Sequence, residues 1–225
     1  MSKILTLVDG FNFYHRLDDY HKNFNEPVKW LNYKTLIESY LHDDVVEKLD
    51  VVYFSAYAKH RHPSSVKRHE VYVSALEKVG VEVILGQFKE KYLIRCKNRE
   101  RCTNCNCIQD SSKLTRHEEK NTDVNIAIRL IESAIYGVYD KCFIMSSDND
   151  FSSAIKRARQ LNSNMQIIIC PPPASNQRVI NAKTARIRVK DLERQCGSGA
   201  LIINWNKIRN CQFPDHFNGL TNPWI

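Results

Sequence analysis

The stretch Ile4-Leu-Thr-Leu-Val-Asp-Gly-Phe-Asn-Phe-Tyr14 decides the fold of this 225-residue chain. Its first five residues predict a short buried strand, and Asp9 follows that strand directly. A second stretch, Met145-Ser-Ser-Asp-Asn-Asp-Phe151, also places acidic residues directly after an apolar run. Because ligands of open α/β sheets bind outside the carboxyl ends of the strands, the two stretches together predict one polar site at a sheet edge.

The rest of the chain alternates short apolar runs with segments of helical period, which is typical of a parallel sheet with crossover helices. The predicted strands cover residues 4–8, 51–57, 81–85, 142–145 and 165–170, and the predicted helices cover 31–41, 62–80, 122–136 and 151–161. A short helix near 176–183 and a strand near 186–189 complete the predicted core. We therefore expect an α/β, Rossmann-like three-layer sandwich. Its central, mostly parallel sheet has an order near 3-2-1-4-5, which makes strands one and four neighbours.

One predicted helix has a strongly marked apolar face. In the helix over 122–136, apolar residues at spacings of three and four predict the side that packs on the sheet. This stripe consists of Val124, Ala127, Ile128, Ile131 and Ile135.

The composition is that of an ordinary globular protein, with 43% hydrophobic and 26% charged residues. The apolar run at the start of the chain stops at Asp9, which makes it too short for the core of a signal peptide. No stretch approaches the ~18 uninterrupted apolar residues that a membrane span needs. We therefore expect a cytoplasmic protein with no membrane partner.

Five acidic side chains fall where a parallel sheet exposes them. Three of them, Asp9, Asp148 and Asp150, follow strands one and four. The other two, Glu119 and Asp123, lie at the start of the helix before strand four. Each acid alone also suits a structural role, because aspartates after strands cap helices or form turns. Together such carboxylates would repel one another, and a divalent cation with oxygen ligands, Mg²⁺ or Mn²⁺, relieves that repulsion.

Three motifs occur in order along the chain: Asp9-Gly-x-Asn12, Glu119-Lys-x-x-Asp123 and Ser146-Ser-Asp-x-Asp-Phe151. This ordered set, over roughly residues 3–170, resembles the NYN domain, a branch of the PIN-like nucleases that includes LabA-like bacterial proteins. The resemblance implies a PIN-like fold and metal-dependent nuclease activity. It implies catalytic, Mg²⁺- or Mn²⁺-binding roles for Asp9, Asp123, Asp148 and Asp150, and supporting roles toward water, ligands or phosphate for Asn12, Glu119, Ser146 and Ser147.

The implied reaction is hydrolysis of phosphodiester bonds by a metal-activated water, which needs neither a nucleophilic serine nor a histidine base. The family resemblance favours an endoribonuclease acting on single-stranded RNA over an enzyme acting on DNA. The chain departs from the family by having Ser147 where many members have glycine, and Asn121-Thr122 where Gly-Val is common. The alternative hypothesis is a catalytically silent module that binds nucleic acid without cutting it.

A basic, cysteine-rich insertion is predicted at residues 87–118. It holds Cys96, Cys102, Cys105 and Cys107, and His117 lies ten residues after the last of them. Four thiols at this spacing favour structural zinc, with His117 as the alternative fourth ligand; reduced thiols and disulfides are the other hypotheses. Residues 87–117 carry eight Lys/Arg against three acids, and this excess favours nucleic acid as a partner.

Candidate nucleic-acid contacts follow from the same segment. The basic side chains are Lys89, Lys91, Arg95, Lys97, Arg99 and Arg101. Phe88 and Tyr92, with Tyr57 nearby, either stack on bases or pack in the core, as such aromatic rings more often do. The segments His60-Arg-His62 and Lys67-Arg-His69 extend this basic rim or form exposed helix surface.

The nuclease domain is predicted over residues 1–190 and is followed by an appendage over 191–225. The aromatic residues Trp205, Phe213, Phe217 and Trp224 of that appendage are expected to pack on the core, the alternative being a homo-oligomer interface.

Overall fold

The computed structural model describes residues 1–42, 45–92, 115–174, 190, 193–194 and 197–225. In these residues the strands are β1 (Ser2–Asp9), β2 (Val46–Ser55), β3 (Glu82–Leu85), β4 (Gln87–Tyr92), β5 (Thr115–Lys120), β6 (Lys141–Met145), β7 (Gln166–Ile169), β8 (Gly199–Ala200), β9 (His216–Phe217) and β10 (Leu220–Thr221). The helices are α1 (Gly10–Phe24), α2 (Tyr33–Glu38), α3 (Pro63–Lys78), α4 (Thr122–Tyr136), α5 (Ser152–Leu161) and α6 (Trp205–Asn210).

The central sheet is parallel, and within the described residues it has the order β3-β2-β1-β6-β7-β8. The predicted α/β fold is therefore confirmed. Because β6 and β7 are the fourth and fifth strands of this sheet, the order is the predicted 3-2-1-4-5 with β8 added at one edge. Strand order reverses between β1 and β6, where Val8 lies opposite Met145. Such a reversal places a crevice at the carboxyl ends of the two strands.

Strand β1 is buried on both faces. Ile4 and Val8 belong to one apolar cluster, whereas Leu5 and Leu7 belong to the cluster on the opposite face. This alternation follows from the two-residue period of a strand. Full burial of an aliphatic side chain contributes roughly 1.5–3 kcal/mol, so packing on both faces holds the end of β1 firmly in place.

Helix α1 is absent from the sequence-based predictions. Its buried residues Phe13, Leu17 and Tyr20 have helical spacing, but the polar residues between them obscure the pattern. The Asp9 side chain caps its start, and Asn25 ends it in the left-handed conformation. The sharp turn from β1 into α1 therefore begins at an acid that also belongs to the predicted site.

Helix α4 has the predicted bounds, but the predicted buried face is wrong. The buried residues are Thr122, Ile126, Leu130, Ser133 and Ala134. Three residues of the predicted stripe, Val124, Ile128 and Ile135, are 59%, 50% and 61% exposed. The helix carries apolar residues on two sides, and the side with small residues allows the closer packing onto the sheet.

Residues 199–225 pack against the parallel sheet. Strand β8 pairs with β7, with Ile169 opposite Ala200. Phe213 is buried, and Trp205, Phe217 and Trp224 pack against the same apolar cluster, which confirms the expected core packing of these rings. The elements predicted over 176–189 lie outside the described residues. No helix in the described part of the chain is long and apolar enough to cross a membrane.

Candidate active site

Asp9 is fixed at the carboxyl end of β1 by two hydrogen bonds. The backbone N–H of Asn12 donates to Asp9 Oδ1 at 3.0 Å, which is the cap of α1. The hydroxyl of Ser146 donates to Asp9 Oδ2 at 2.8 Å. Asp9 is only 6% exposed, and both carboxylate oxygens keep lone pairs beyond these bonds. Asp9 therefore combines the structural role of a helix cap with a position in the crevice.

The turn after β6 is tied to the turn after β1. The backbone N–H and the hydroxyl of Ser147 both donate to Asn12 Oδ1 at 3.0 Å. The N–H of Asp148 donates to Ser146 Oγ at 3.1 Å, and the N–H of Asp150 donates to Asp148 Oδ1 at 2.9 Å. The two bonds to Asn12 hold the ends of the neighbouring strands together, and the other two shape the turn after β6. Ser147 thus supplies a hydroxyl to this contact. Many members of the family that the chain resembles have glycine at this position.

Glu119 and Asp123 approach from the other end of the crevice. Asp123 lies in the first turn of α4 and is exposed. Glu119 was predicted at the start of the helix, but it lies near the end of β5, because the ribbon continues to Lys120. It is half-buried there and accepts a hydrogen bond from the hydroxyl of Thr122. A Cβ on Gly86 would lie 2.6 Å from the Lys120 carbonyl oxygen and 2.8 Å from Thr122 Oγ1. The turn between β3 and β4 therefore packs closely on the residue that holds Glu119.

The pKa values of three acids at this edge, Asp9, Glu119 and Asp123, are raised. Burial, the largest cause, raises the pKa of Asp9 to about 6. Burial likewise raises the pKa of Glu119 to about 7, and the charges of Asp9 and Asp123 add to the effect. Burial and the charges of Asp148 and Asp150 raise the pKa of Asp123. The acids therefore share one negative field, which favours a bound cation.

The donor set fits a hard divalent cation. The acids offer carboxylate oxygens, and the serine hydroxyls beside them add further oxygen atoms, which suits Mg²⁺ or Mn²⁺. Within the described residues, no three His, Cys, Asp or Glu side chains already lie close enough together to enclose an ion. The carboxylates interact through their charges at longer range, as mutually repelling groups do. That Asp9, Asp123, Asp148 and Asp150 hold such an ion stays a prediction from the sequence.

The predicted insertion begins and ends in an antiparallel ribbon made of β4 and β5. Lys89 is exposed on β4, opposite Glu118 in register. His117 stacks on His60, with ring centroids 3.9 Å apart and planes within 6°. The predicted contacts Arg95, Lys97, Arg99 and Arg101, the cysteines Cys96, Cys102, Cys105 and Cys107, and the side chains of Lys91 and Tyr92 lie outside the described residues.

Some residues shape the site without taking part in the reaction, and their roles were not predicted from the sequence. Thr122 holds Glu119 through a hydrogen bond, yet a threonine three residues after an acid has many structural uses. A Cβ on Gly10 would lie 2.5 Å from the Tyr53 ring and 2.6 Å from the Phe54 carbonyl oxygen. The glycine after Asp9 was part of a motif, but only the structure shows the close approach of α1 to β2 that requires it.

The chain is similar to known proteins in sequence and in fold. The chain is 24% identical, over 228 residues, to the 6-hydroxy-3-succinoylpyridine 3-monooxygenase HspA of Pseudomonas putida, covering 92% of this chain and 69% of that protein. A crystal structure of a Vibrio parahaemolyticus protein of unknown function is similar in fold, with a TM-score of 0.50 and 20% identity. That match covers 91% of this chain and 94% of the Vibrio chain.

A family model described as the NYN domain matches residues 3–190. The match includes both strand ends, the β4–β5 ribbon and all five acids discussed above. NYN domains are part of the PIN-like nuclease superfamily, which supports a nuclease role in general. Because the match covers most of the 225 residues, this chain belongs to the NYN domain family.

Proposed function

We propose that this chain is a metal-dependent endoribonuclease that hydrolyses phosphodiester bonds, preferably in single-stranded RNA. One observation supports the proposal: where strand order reverses, the acids at the end of β1, after β6 and at the start of α4 lie near enough that their charges help to raise the pKa values of Asp9 and Asp123. Four carboxylates in such a field destabilise the fold unless a cation binds there. A site kept at that cost is expected to have a function.

The chain's own side chains have distinct parts in this mechanism. Asp9, Asp123, Asp148 and Asp150 would hold one or two Mg²⁺ or Mn²⁺ ions. When bound, such cations supply Lewis-acid stabilisation of the phosphate and a nucleophilic water at neutral pH. Ser146 orients Asp9 through the 2.8 Å hydrogen bond.

Two further residues act on the shape of the site. Asn12 fixes the turn after β6 by accepting two hydrogen bonds from Ser147. Glu119, which Thr122 orients, supplies a carboxyl group with a pKa of about 7 at the side of the crevice nearest the ribbon.

The test is cleavage of labelled single-stranded RNA and DNA with Mn²⁺, Mg²⁺ or EDTA. The double variant Asp148→Asn/Asp150→Asn and the single variant Asp123→Asn should lose at least about 100-fold in rate, the scale on which loss of a charge-stabilising group acts. Glu132→Gln is the matched control for Asp123→Asn, because Glu132 is an exposed acid on the same helix. It should keep wild-type activity.

Two outcomes would contradict the proposal in different ways. Equal inactivity of wild type and acid variants, with tight RNA binding by both, would favour the silent binding module. Activity that persists in EDTA would exclude the metal mechanism. A circular single-stranded RNA separates the modes of cutting, because only an endonuclease can open it.

A second candidate function comes from the Pseudomonas putida relative, whose name describes a monooxygenase acting on a substituted pyridine. A ring-lined cavity of about 300 Å³ beside the carboxylates favours it. A monooxygenase consumes oxygen and a reductant. Oxygen uptake by the purified chain, with 6-hydroxy-3-succinoylpyridine and NADH or NADPH, therefore tests it. Uptake that requires the pyridine substrate would favour this candidate over the nuclease.

We also propose structural zinc bound by Cys96, Cys102, Cys105 and Cys107, with His117 as the alternative ligand. Their spacing supports this proposal. One zinc per chain after dialysis, lost in Cys102→Ser/Cys105→Ser, is the expected result. Zinc-free wild type that retains its fold would contradict it. The part of His117 can be measured separately, because His117→Ala should leave the zinc content unchanged if all four thiols bind.

A further inference from the structure

A cavity of about 300 Å³ lies beside the carboxylate site, formed by the starts of α1 and α3, the end of β2 and the β4–β5 ribbon. Gly10 and Glu119 both line it. Because Gly10 directly follows Asp9, the cavity adjoins the crevice where the acids meet. Its volume is at the lower end of the range for ligand sites, which suits a single small ring system.

Aromatic rings form much of the cavity wall. Phe11, Tyr14, Tyr53 and Phe88 all line it. Phe11 and Phe88 meet edge to face, with ring centroids 5.5 Å apart. Phe88 is half-buried and belongs to the ribbon strand β4. A planar base that stacks on such rings gains roughly 1–3 kcal/mol, whichever base it is.

A pair of neutral polar side chains lies on another part of the wall. The Ser55 hydroxyl and His69 Nε2 are 3.2 Å apart, and Ser55 is buried. Burial lowers the pKa of His69 to about 4, so its ring is neutral at pH 7. Because the hydroxyl and Nε2 bond to each other, this pair can offer a base edge the other ring nitrogen, Nδ1, and a remaining lone pair of the hydroxyl.

Two guanidinium groups also line the cavity. Arg61 is exposed in the loop before α3, and Arg68 is half-buried on α3. Guanidinium groups bind phosphate through paired hydrogen bonds and stack on planar rings. Rings, neutral hydrogen-bonding groups and cations around one small volume match the base, base edge and phosphate of a nucleotide.

We propose that this cavity binds one nucleobase of the strand that is cut at the carboxylates, with the base on Phe88 and a flanking phosphate on Arg61 and Arg68. This rests on the proposed nuclease function. A base seated in the cavity fixes which phosphate reaches Asp9. The consequence is a preference for one kind of base at a fixed distance from the cut.

The test measures binding of AMP, GMP, CMP and UMP by calorimetry, in EDTA, to the wild-type chain. Ribose 5-phosphate is the probe that lacks a base, and nicotinate is a ring acid that lacks ribose. At least one nucleotide should bind about 10-fold more tightly than ribose 5-phosphate, since stacking alone is worth that much. Equal affinity for nucleotides and ribose 5-phosphate, or tighter binding of nicotinate than of every nucleotide, would overturn the proposal.

Two variants examine the two halves of the site separately. Phe88→Ala should weaken nucleotide binding about 10-fold, whereas Tyr136→Ala should not, because Tyr136 is a 74% exposed ring on α4 that does not line the cavity. Arg61→Ala should weaken binding of the nucleotide but not of the matching nucleoside. Since Arg61 is exposed, this variant remains informative if Phe88→Ala does not fold. Equal effects of Phe88→Ala and Tyr136→Ala in folded proteins would also overturn the proposal.

The two proposals fail in different ways. Asp148→Asn/Asp150→Asn should abolish cleavage and leave nucleotide binding in EDTA unchanged. Nucleotide binding by a wild type that never cuts would overturn the nuclease function and leave a nucleotide site. Cleavage with no base preference at any position near the cut would leave the nuclease and overturn the base site.

Discussion

Gly10 adjoins two regions that hold charge in different ways. On one side are the carboxylates of the crevice, where burial raises the pKa of Asp9 to about 6 and that of Glu119 to about 7. On the other side is the cavity, where burial lowers the pKa of His69 to about 4. Burial favours the neutral form in both regions. However, only in the crevice do the groups also raise one another's pKa values, because their charges repel.

The difference indicates what each region is suited to bind. A histidine made neutral by burial has no remaining electrostatic conflict, and it can form hydrogen bonds with an uncharged ring. Several acids in one crevice cannot all become neutral at pH 7, so they retain a conflict that a cation resolves. The crevice therefore fits a metal ion, and the cavity fits a base of the proposed nucleic-acid substrate.

The largest expected effect comes from filling the space at Gly10 that both regions share. Gly10→Ala places a Cβ 2.5 Å from the Tyr53 ring and 2.6 Å from the Phe54 carbonyl oxygen, so the start of α1 must move. We expect a loss of about 3 kcal/mol in the free energy of unfolding, measured with urea.

Gly199→Ala is the matched control, because a Cβ there meets open space. It should change stability by less than about 0.5 kcal/mol. Equal stability of Gly10→Ala and wild type would mean that the contact between α1 and β2 is looser than these distances imply.

The next prediction tests the cavity alone, through the pH dependence of the free energy of unfolding. The folded-state pKa of His69 is about 4, below its usual 6.5, so the unfolded chain binds more protons between these values. Stability from this group is present above pH 6.5 and is lost as pH falls toward 4. At pH 4 the loss should be about 2 kcal/mol, less than the full shift because the ring is partly exposed.

His69→Gln should remove this loss, because glutamine does not titrate. The free energy of unfolding of both proteins is measured with urea between pH 4 and 7.5. The difference between the two curves isolates His69, because the acids titrate in the same way in both proteins. Parallel curves for the two proteins would show that His69 is more solvated than its burial implies.

How far the sequence could predict these two regions differs between them. The placement of the acids at one sheet edge could be predicted, because Asp9, Asp148 and Asp150 follow apolar runs directly and strand ends converge in a parallel sheet. That they form a metal site stays a prediction. The bounds of α4 could be predicted because its apolar residues have helical period. Which side of α4 is buried could not be predicted, because both sides are apolar and only packing against the sheet decides between them.

The cavity shows where local patterns stop being informative. Ser55 and His69 come from a strand end and a helix, and only the packing of α3 on the sheet brings them within 3.2 Å. Helix α1, which carries Phe11 and Tyr14 to the cavity, was missed because polar residues lie between its buried residues and obscure their helical spacing. Such juxtapositions depend on contacts between elements, which residue spacing within one element does not encode.

A smaller effect concerns the crevice without its cation. The pKa of Asp9 is raised from 3.8 to about 6, so the folded chain holds a proton that the unfolded chain has lost between these values. Stability is therefore present below pH 3.8 and lost as pH rises through 6. Asp9→Asn should stabilise the protein in EDTA at pH 7 by about 1 kcal/mol, because the amide keeps the cap of α1 but not the charge.

The same variant should respond differently to metal. Mn²⁺ should raise the melting temperature of the wild type and leave that of Asp9→Asn almost unchanged, because binding to the folded state alone stabilises it. Thermal unfolding with EDTA and with Mn²⁺ measures both effects. A destabilised Asp9→Asn in EDTA would show that the hydrogen bond from Ser146 outweighs the cost of the buried charge.

The smallest effect is expected at the ribbon, away from both regions. Lys89 is exposed on β4, and Lys89→Ala should weaken RNA binding only a few-fold while lowering the salt dependence by about one counterion. The control is Lys78→Ala, an exposed lysine at the end of α3, far along the helix from its cavity-lining start. It should leave the slope of log affinity against log salt unchanged. An equal change in slope for both variants would mean that RNA meets a general positive surface, and a selective change at Lys89 would place the strand along the ribbon, where Phe88 on the same strand can receive a base.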